Sequence, residues 1–512
     1  MTVETFTIGS RLLVRNGLLA LAGQAVPFVV GVASVPAIVH GLGMERFGLL
    51  ALTWTLIGAF SVFDLGLGRA VTKLVAEALG TGERTGIPGI IWSAVMAQAA
   101  FGIFGAGVLA LAASPVVTRL LNVAPQMHAE AVASLRILAP SLPVVLVSFS
   151  FQGALEAAQR FDLLAGVKIV SSTSTFLVPL AGALFSWDLP TILAGMLVVR
   201  SLVLIVYAYA CIRALALLRL PVSASRGGFR SLLTFGTWIT VSGLVALILA
   251  PADKLIIGHQ LTMTALTHYA IPQELIARLG VISAGMAVVL FPAFSTLGGA
   301  QDLLRVRVLF SRSTEYLVLT MAPAFGLIAV LAPDILRVWL GSPLAEHSAP
   351  VLQILAVGAA VQLLAVSPYV LLQGLGRPDL TAKFHLLVLP LSVATMWWLV
   401  RLYGIRGAAF VWTGRVAFEA FLLLWAALRM GMWTWEGARK TARRVLLPVV
   451  VVCSSSLVVH SLPAPLAPRV VLIGSLLPAF AWWVWARSLE AEERRWIVRL
   501  LMAWRRLPVR MS

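Results

Sequence analysis

The sequence predicts an all-α polytopic membrane protein of about fourteen transmembrane helices, and three observations predict it. The chain is 60% hydrophobic and only 12% charged, with a mean hydropathy of +0.95, whereas an ordinary soluble chain is about 25% charged. Apolar runs close to the roughly 20 residues that span a bilayer recur from end to end, separated by short polar breaks. Most of the 39 basic residues fall in alternate breaks, the pattern expected when every second connection is cytoplasmic.

The runs follow one another in a consistent charge rhythm. Gly17 to Val39 comes after Arg11 and Arg15, and Phe47 to Gly68 ends before Arg69, Lys73 and Arg84. Gly89 to Ser114 and Ala133 to Leu155 form the next excursion, closed by Arg160 and Lys168. Leu163 to Phe185 and Pro190 to Ile212 lead to the basic stretch Arg213, Arg219, Arg226 and Arg230. Leu232 to Ile257 and Tyr269 to Phe294 precede Arg305, Arg307 and Arg312. Tyr316 to Ala332 and Pro350 to Leu372 precede Arg377 and Lys383. Phe384 to Val400 and Gly404 to Leu428 precede Arg429 to Arg444, and Leu446 to Leu462 with Val470 to Ala486 precede the tail from Arg487 to Arg510. Both termini are therefore expected on the cytoplasmic side.

The net charge of +18 follows from this topology, so a nucleic-acid partner is not expected. Cys211 and Cys453 lie in separate spans without ligand spacing, and read as packing residues; no metal and no cofactor are expected. The N-terminus lacks a short apolar core with a small-residue cleavage site, so the first span is expected to be retained. The segment Ser488 to Arg506 places Trp496, Leu500 and Trp504 at helical spacing among arginines, a surface helix suited to anionic lipids.

The chain also resembles itself, as transporters built from repeats do. Gln152-Gly153 precedes Arg160-Phe161-Asp162-Leu163, and Gln373-Gly374 precedes Arg377-Pro378-Asp379-Leu380, at an offset of 373 − 152 = 221. The same offset carries Phe47-Gly48 onto His268-Tyr269, and Arg200 has Arg415 as its counterpart at 415 − 200 = 215. The organisation read from this is a six-span half over residues 1–225 and a second over 226–432. Two additional spans over 433–487 and a basic amphipathic tail over 488–512 complete it.

Arg200, Arg278 and Arg415 lie inside apolar runs, where each costs about 2.5–3.5 kcal/mol at the bilayer centre on the insertion scale. Such residues either pair with carboxylates or meet an anionic cargo. Glu274 stands four residues before Arg278, an ion-pair spacing, and Glu419 stands four after Arg415, whereas no acid lies within four positions of Arg200. Arg15, Arg69 and Lys254 are further cationic candidates nearer the two mouths. Asp64, in a Gly-rich segment, reads as a coupling site for a proton or sodium ion or as a gate partner of Arg69 or Lys73; Asp253 and Glu274 raise the same alternatives. Six of the seven histidines lie near the outer side without ligand spacing.

Several segments together resemble the polysaccharide and oligosaccharide-lipid flippases, the O-antigen-type family of the superfamily that also holds multidrug and toxic-compound extruders and the lipid II flippase. They are Arg15-Asn16, His40-Gly41-Leu42-Gly43 through Arg46-Phe47-Gly48, and Phe63-Asp64-Leu65-Gly66-Leu67-Gly68 in the first half. In the second they are Asp253-Lys254 with Gly258, Ile271-Pro272 through Arg278-Leu279, and Phe291-Pro292-Ala293-Phe294-Ser295. The resemblance implies two pseudo-symmetric six-helix lobes around a central cavity plus two extra helices, in a bacterial cytoplasmic (inner) membrane. It implies a lipid-linked oligosaccharide cargo and an association with other polysaccharide-assembly proteins. It implies a transporter and not an enzyme.

Guanidinium groups suit a pyrophosphate cargo, since their fork of donors meets phosphate oxygens in pairs and stays ionised. On that basis Arg200 and Arg415 are expected to face a shared cavity, whereas Glu274 gives Arg278 a partner with which to hold its helix in place. Two other readings stay open here: a cation-coupled drug extruder of the same superfamily, and a membrane-embedded glycosyltransferase or polymerase. The first favours acidic cavity residues and the second a sizeable catalytic outer loop; neither feature is prominent in the sequence.

Overall fold

Hydrocarbon offers no partner to a free backbone N–H or C=O, so a spanning chain closes its hydrogen bonds within each helix. A computed structural model describes residues 10–433 except 61–66, 82–85, 159, 216–236 and scattered positions between 281 and 301, together with isolated positions from 439 to 483. Every regular element among them is helical.

The first elements are α1 (Ser10–Leu42), α2 (Met44–Phe60), α3 (Leu67–Thr81), α4 (Ile87–Pro115), α5 (His128–Leu138) and α6 (Ser141–Ala157). They are followed by α7 (Phe161–Leu184), α8 (Leu189–Ala214), α9 (Thr237–Gln260) and α10 (Met263–Leu279). The last are α11 (Leu303–Leu340), α12 (Ser342–Gly374) and α13 (Pro378–Arg429). Seven described stretches are long and apolar enough to cross a membrane, among them Ile87–Leu120, Leu189–Ala214 and Ser342–Gly374, and the protein is a multi-pass membrane protein.

Local chemistry sets the boundaries. Gly43, at φ 80°, turns the chain between α1 and α2 in a conformation that glycine adopts without steric cost. Asp188 caps α8 by accepting from Thr191 N at 3.2 Å, with Pro190 in the first turn. Thr262 does the same for α10, accepting from Ala265 N at 3.1 Å. Gly404, at φ 58° and ψ −139°, interrupts α13, which places the expected spans eleven and twelve on either side of one glycine.

Other boundaries depart from the sequence reading. The span expected over Tyr316 to Ala332 lies within a 38-residue helix, α11, whose start is capped by Asp302 accepting from Arg305 N at 3.1 Å. An apolar window misses such ends because helix and hydrocarbon need not stop together: Arg305 and Arg312 continue the helix with charged turns. The span expected over Phe47 to Gly68 comprises α2, an intervening stretch outside the described residues, and the start of α3. Spans thirteen and fourteen and the basic tail lie outside the described residues, apart from isolated positions.

By spatial proximity the chain divides into Met1–Val281 with Arg377–Arg415, and Ile282–Gly376 with Val416–Ser512. In the first unit Val71, Ile91, Ala94, Leu155 and Cys211 form a buried core where α3, α4, α6 and α8 meet. In the second, Phe294, Phe310, Leu371 and Ala427 do so, with Trp433 edge-on to Phe310 at 5.4 Å.

Lipid tails are as apolar as leucine, so helix association relies on close packing at small residues and on polar contacts. A Cβ at Gly153 would lie 2.3 Å from Gly68 O, which lets α6 pack on α3. Its repeat counterpart Gly374 is similarly tight, with a Cβ placed 2.8 Å from Phe294 Cβ. Ser150 bonds Gln98 between α6 and α4. In the second unit the Ser313 and Ser367 hydroxyls pair at 2.7 Å.

Candidate functional site

Arg200 is the most isolated of the three arginines. It sits on α8 fourteen residues before the helix end at Ala214 (214 − 200 = 14) and lines a cavity of about 240 Å³ between α2, α6, α7 and α8. Its Nη1 is buried without a hydrogen-bond partner among the described residues. Lys168, Ser171, Ser172 and Thr175 of α7 line the same cavity, as do Gln152 of α6 and Tyr207 of α8. Among the described residues no carboxylate lines it, and Glu156 acts electrostatically on Tyr207 nearby.

The sequence reading missed Lys168 and Gln152 as site residues, treating one as a topology charge and the other as a repeat marker. A signal was present: Lys168, Ser171, Ser172 and Thr175 follow i, i+3, i+4, i+7 and share one helix face, within the polar run 171–175 of an apolar span.

Arg415 lies elsewhere. It lines a separate cavity of about 20 Å³ with Asp253, Ser392 and Trp412, large enough for about one water. Among the described residues, then, Arg200 and Arg415 line different pockets, the first with α2, α6 and α7 and the second with α9. Asp253 is 4% exposed and fully engaged: its Oδ2 accepts from Tyr269 Oη at 2.9 Å and from Gln273 Nε2 at 2.6 Å. Its Oδ1 accepts from Lys254 N at 2.7 Å. Lys254, 7% exposed, donates from Nζ to Thr55 Oγ1 at 2.6 Å and so ties α9 to α2.

Arg278 has the partner that its spacing suggests. Its Nη2 is 2.7 Å from Glu274 Oε1, and its guanidinium lies over the Phe176 ring at 4.5 Å. Arg15 and Arg69 are on helical backbone, but their side chains lie outside the described residues, and so does Asp64 as a whole.

One end of the bundle is closed by cross-links between early and late helices of the first unit. Gly48 and Met263 approach so closely that a Cβ at Gly48 would be 2.3 Å from Met263 O. Asn122 N donates to Gly258 O at 2.6 Å, His259 bonds Leu120 O and stacks on Trp397, and Gln260 Nε2 donates to Trp397 O at 3.0 Å. Nearby, Arg46 bridges to Glu130 at 2.8 Å, and Glu130 also receives Leu189 N at 3.0 Å.

This arrangement of helices is that of known membrane exporters and flippases. The solved structure of the lipid II flippase MurJ in an inward closed conformation superposes with a TM-score of 0.72 at 11% identity, over 93% of this chain and 100% of that one. An inward-facing multidrug resistance MATE family transporter gives 0.70 at 13% identity, over 81% and 98%. The family model described as "Polysaccharide biosynthesis protein" matches residues 42–349, and the chain belongs to that family. A relative described as a putative O-antigen transporter of Shigella flexneri is 26% identical over 419 residues, 82% of this chain and 98% of the relative.

Proposed function

We propose that the protein is a flippase that carries a polyprenyl pyrophosphate-linked oligosaccharide or polysaccharide repeat unit across the bacterial cytoplasmic membrane. The observation that carries this reading is Arg200: a guanidinium within a membrane span, beside Lys168, with its Nη1 buried and neither a hydrogen-bond partner for it nor a lining carboxylate among the described residues. A cation left uncompensated in low dielectric is costly unless an anion arrives. A lipid-linked pyrophosphate supplies that anion, and its glycan needs a polar path across hydrocarbon. The O-antigen transporter relative supports the same cargo class.

Transport proceeds by alternating access of two six-helix lobes, residues 1–225 and 226–432, with both termini cytoplasmic. The cross-linked end, where α2 meets α10, is the outer side, shut while cargo enters from the cytoplasm. Arg200 and Arg415 are the cationic residues of the two halves, with Arg15, Arg69 and Lys254 along the path. Arg278 with Glu274 holds α10 in place. Asp253 and Asp64 are the gate or coupling acids for a proton or sodium ion. Vesicles containing the purified chain and a fluorescent lipid-linked oligosaccharide test the reading. Appearance of the glycan on the far leaflet, without efflux of a cationic dye from the same vesicles, is the expected result. Dye efflux without glycan movement would favour the drug-extruder alternative and overturn the flippase.

A further inference from the structure

We infer that the chain carries two docking sites for the headgroup of an anionic bilayer phospholipid, one at Tyr209 and Arg213 on α8 and one at Trp425 and Arg429 on α13. The inference concerns the lipid-facing surface and does not depend on which cargo is carried.

The two places repeat one arrangement of residues. Ile205, Tyr209 and Arg213 follow at four-residue steps towards the end of α8. Phe421, Trp425 and Arg429 do the same at the end of α13, at an offset of 429 − 213 = 216. Four-residue steps put each trio on one stripe of its helix. Ile205 and Phe421 are exposed, Tyr209 is 57% exposed and Trp425 45%, and both arginines are exposed as well. Each stripe therefore runs from an apolar side chain to a ring and then to a guanidinium. It ends where a stretch apolar enough to cross a membrane ends, at Ala214 and at Arg429. An exposed apolar face on such a stretch meets acyl chains, and Tyr and Trp settle where hydrocarbon gives way to headgroups.

The arginines are held at that depth. The Arg213 guanidinium lies over the Tyr209 ring at 5.1 Å, and that of Arg429 lies over the Trp425 ring at 5.3 Å. An arginine at a helix end can extend its stem and carry its charge out to water; these two fold back by one turn onto the rings. A second cation joins the site on α13. Arg307 Nη2 of α11 reaches the turn beyond Arg429, so that a Cβ at Gly431 would lie 3.6 Å from it. Its neighbour Arg305 is already engaged, with Nε 3.2 Å from Asp302 Oδ2. Arg401 over Trp397, at 5.4 Å, is the same local pairing in another setting: His259 stacks on that ring and Gln260 donates to its backbone carbonyl, so the pair belongs to the cross-linked end of the bundle.

The chemistry selects the occupant. The anion present at headgroup depth is the phosphodiester, and a guanidinium fork meets two of its oxygens at once. The ring beneath offers an apolar face to the upper acyl chain. A zwitterionic lipid brings its own ammonium, which offsets the attraction, whereas an anionic lipid gains about fivefold in binding for each cation close to the surface. The site on α13, with Arg307 beside Arg429, should therefore bind more tightly than the site on α8. Occupied together, the two sites fix the depth of α8 and α13 in the bilayer.

Native mass spectrometry of the full-length purified chain tests the sites, with phosphatidylglycerol and phosphatidylcholine of identical acyl chains titrated in turn. Wild type should retain phosphatidylglycerol more strongly than phosphatidylcholine. Arg213→Gln and Arg429→Gln should each weaken phosphatidylglycerol binding at one site by about fivefold, and the double variant should lose the preference at both. Tyr209→Leu and Trp425→Leu keep the charge and the apolar bulk but remove the ring, and should weaken binding about two- to fivefold. Arg305→Gln removes the same charge from an arginine that Asp302 already holds, and should bind as wild type does. These side chains are exposed, so the variants should elute as wild type does in size-exclusion chromatography. Equal retention of the two lipids, or undiminished binding in the double arginine variant, would overturn the inference. So would a loss in Arg305→Gln as large as that in Arg429→Gln, or full binding by both ring variants, since either would reduce the sites to general surface charge.

Discussion

The Tyr269 hydroxyl donates to Asp253 Oδ2 across 2.9 Å, and this bond joins α10 to α9 at a carboxylate that is only 4% exposed. Gln273 and the Lys254 backbone supply further donors, and Arg415 shares the adjoining cavity. A buried carboxylate is tolerated when its lone pairs and charge are met in this way. The same stretch of α9 is pinned to α2 by Lys254 and Thr55.

Removing one donor should therefore be felt, and removing the carboxylate should be felt more. Tyr269→Phe is expected to cost about 1–3 kcal/mol of stability. Asp253→Ala is expected to cost more, because it leaves the Tyr269 hydroxyl, the Gln273 amide and the Lys254 backbone N–H without their shared acceptor. Thermal unfolding of the detergent-solubilised variants checks the order.

Close helix approach at glycine gives a steric test with an internal control. Gly48→Ala would place a methyl 2.3 Å from Met263 O, whereas a Cβ at Gly58 in the same helix meets nothing within 4 Å. Gly48→Ala should sharply lower the yield of monodisperse protein, and Gly58→Ala should leave it near wild type, measured by size-exclusion chromatography of equal culture volumes.

Arg278 and Glu274 are a pair on one helix face, 28% and 33% exposed. A double-mutant cycle of Arg278→Ala and Glu274→Ala should give a coupling below about 1 kcal/mol, the scale of partly exposed (i, i+4) ion pairs. Flipping should survive in the double variant if the pair only holds α10 in place.

Asp188 provides a pH test outside the spans. Hydrogen bonding from Thr191 holds its carboxyl below the ordinary carboxylate range. A depressed folded value means that the cap stabilises fully above the unfolded value near 3.9 and is lost as pH falls through the lower folded value. The stability gap between wild type and Asp188→Ala, about 1 kcal/mol, should be constant from about pH 6 to 8 and close below about pH 4. Unfolding scans across that range measure it.

Much of the fold was legible because hydrocarbon imposes length and polarity on each run. The break at Gly404 and the pairing of Arg278 with Glu274 were both readable as local signals. The site was less so. Asp253, Tyr269, Gln273 and Thr55 come together through tertiary packing of α2, α9 and α10, and no spacing in the chain records that α9 lies against α2. Lys168 was hidden for a different reason: its charge satisfied the topology rule, which left its polar helix face unread. Which neighbours line the pockets of Arg200 and Arg415 likewise depends on tertiary packing of α8 and α13.

The central claim is that Arg200 carries the phosphate end of a lipid-linked glycan. It is tested most directly by the rate at which labelled lipid-linked oligosaccharide reaches the far leaflet of vesicles containing wild type, Arg200→Ala or Arg278→Ala at equal protein density. The expected result is movement by wild type and Arg278→Ala, with a loss of at least about tenfold in Arg200→Ala. Flipping by Arg200→Ala at the wild-type rate would contradict the claim.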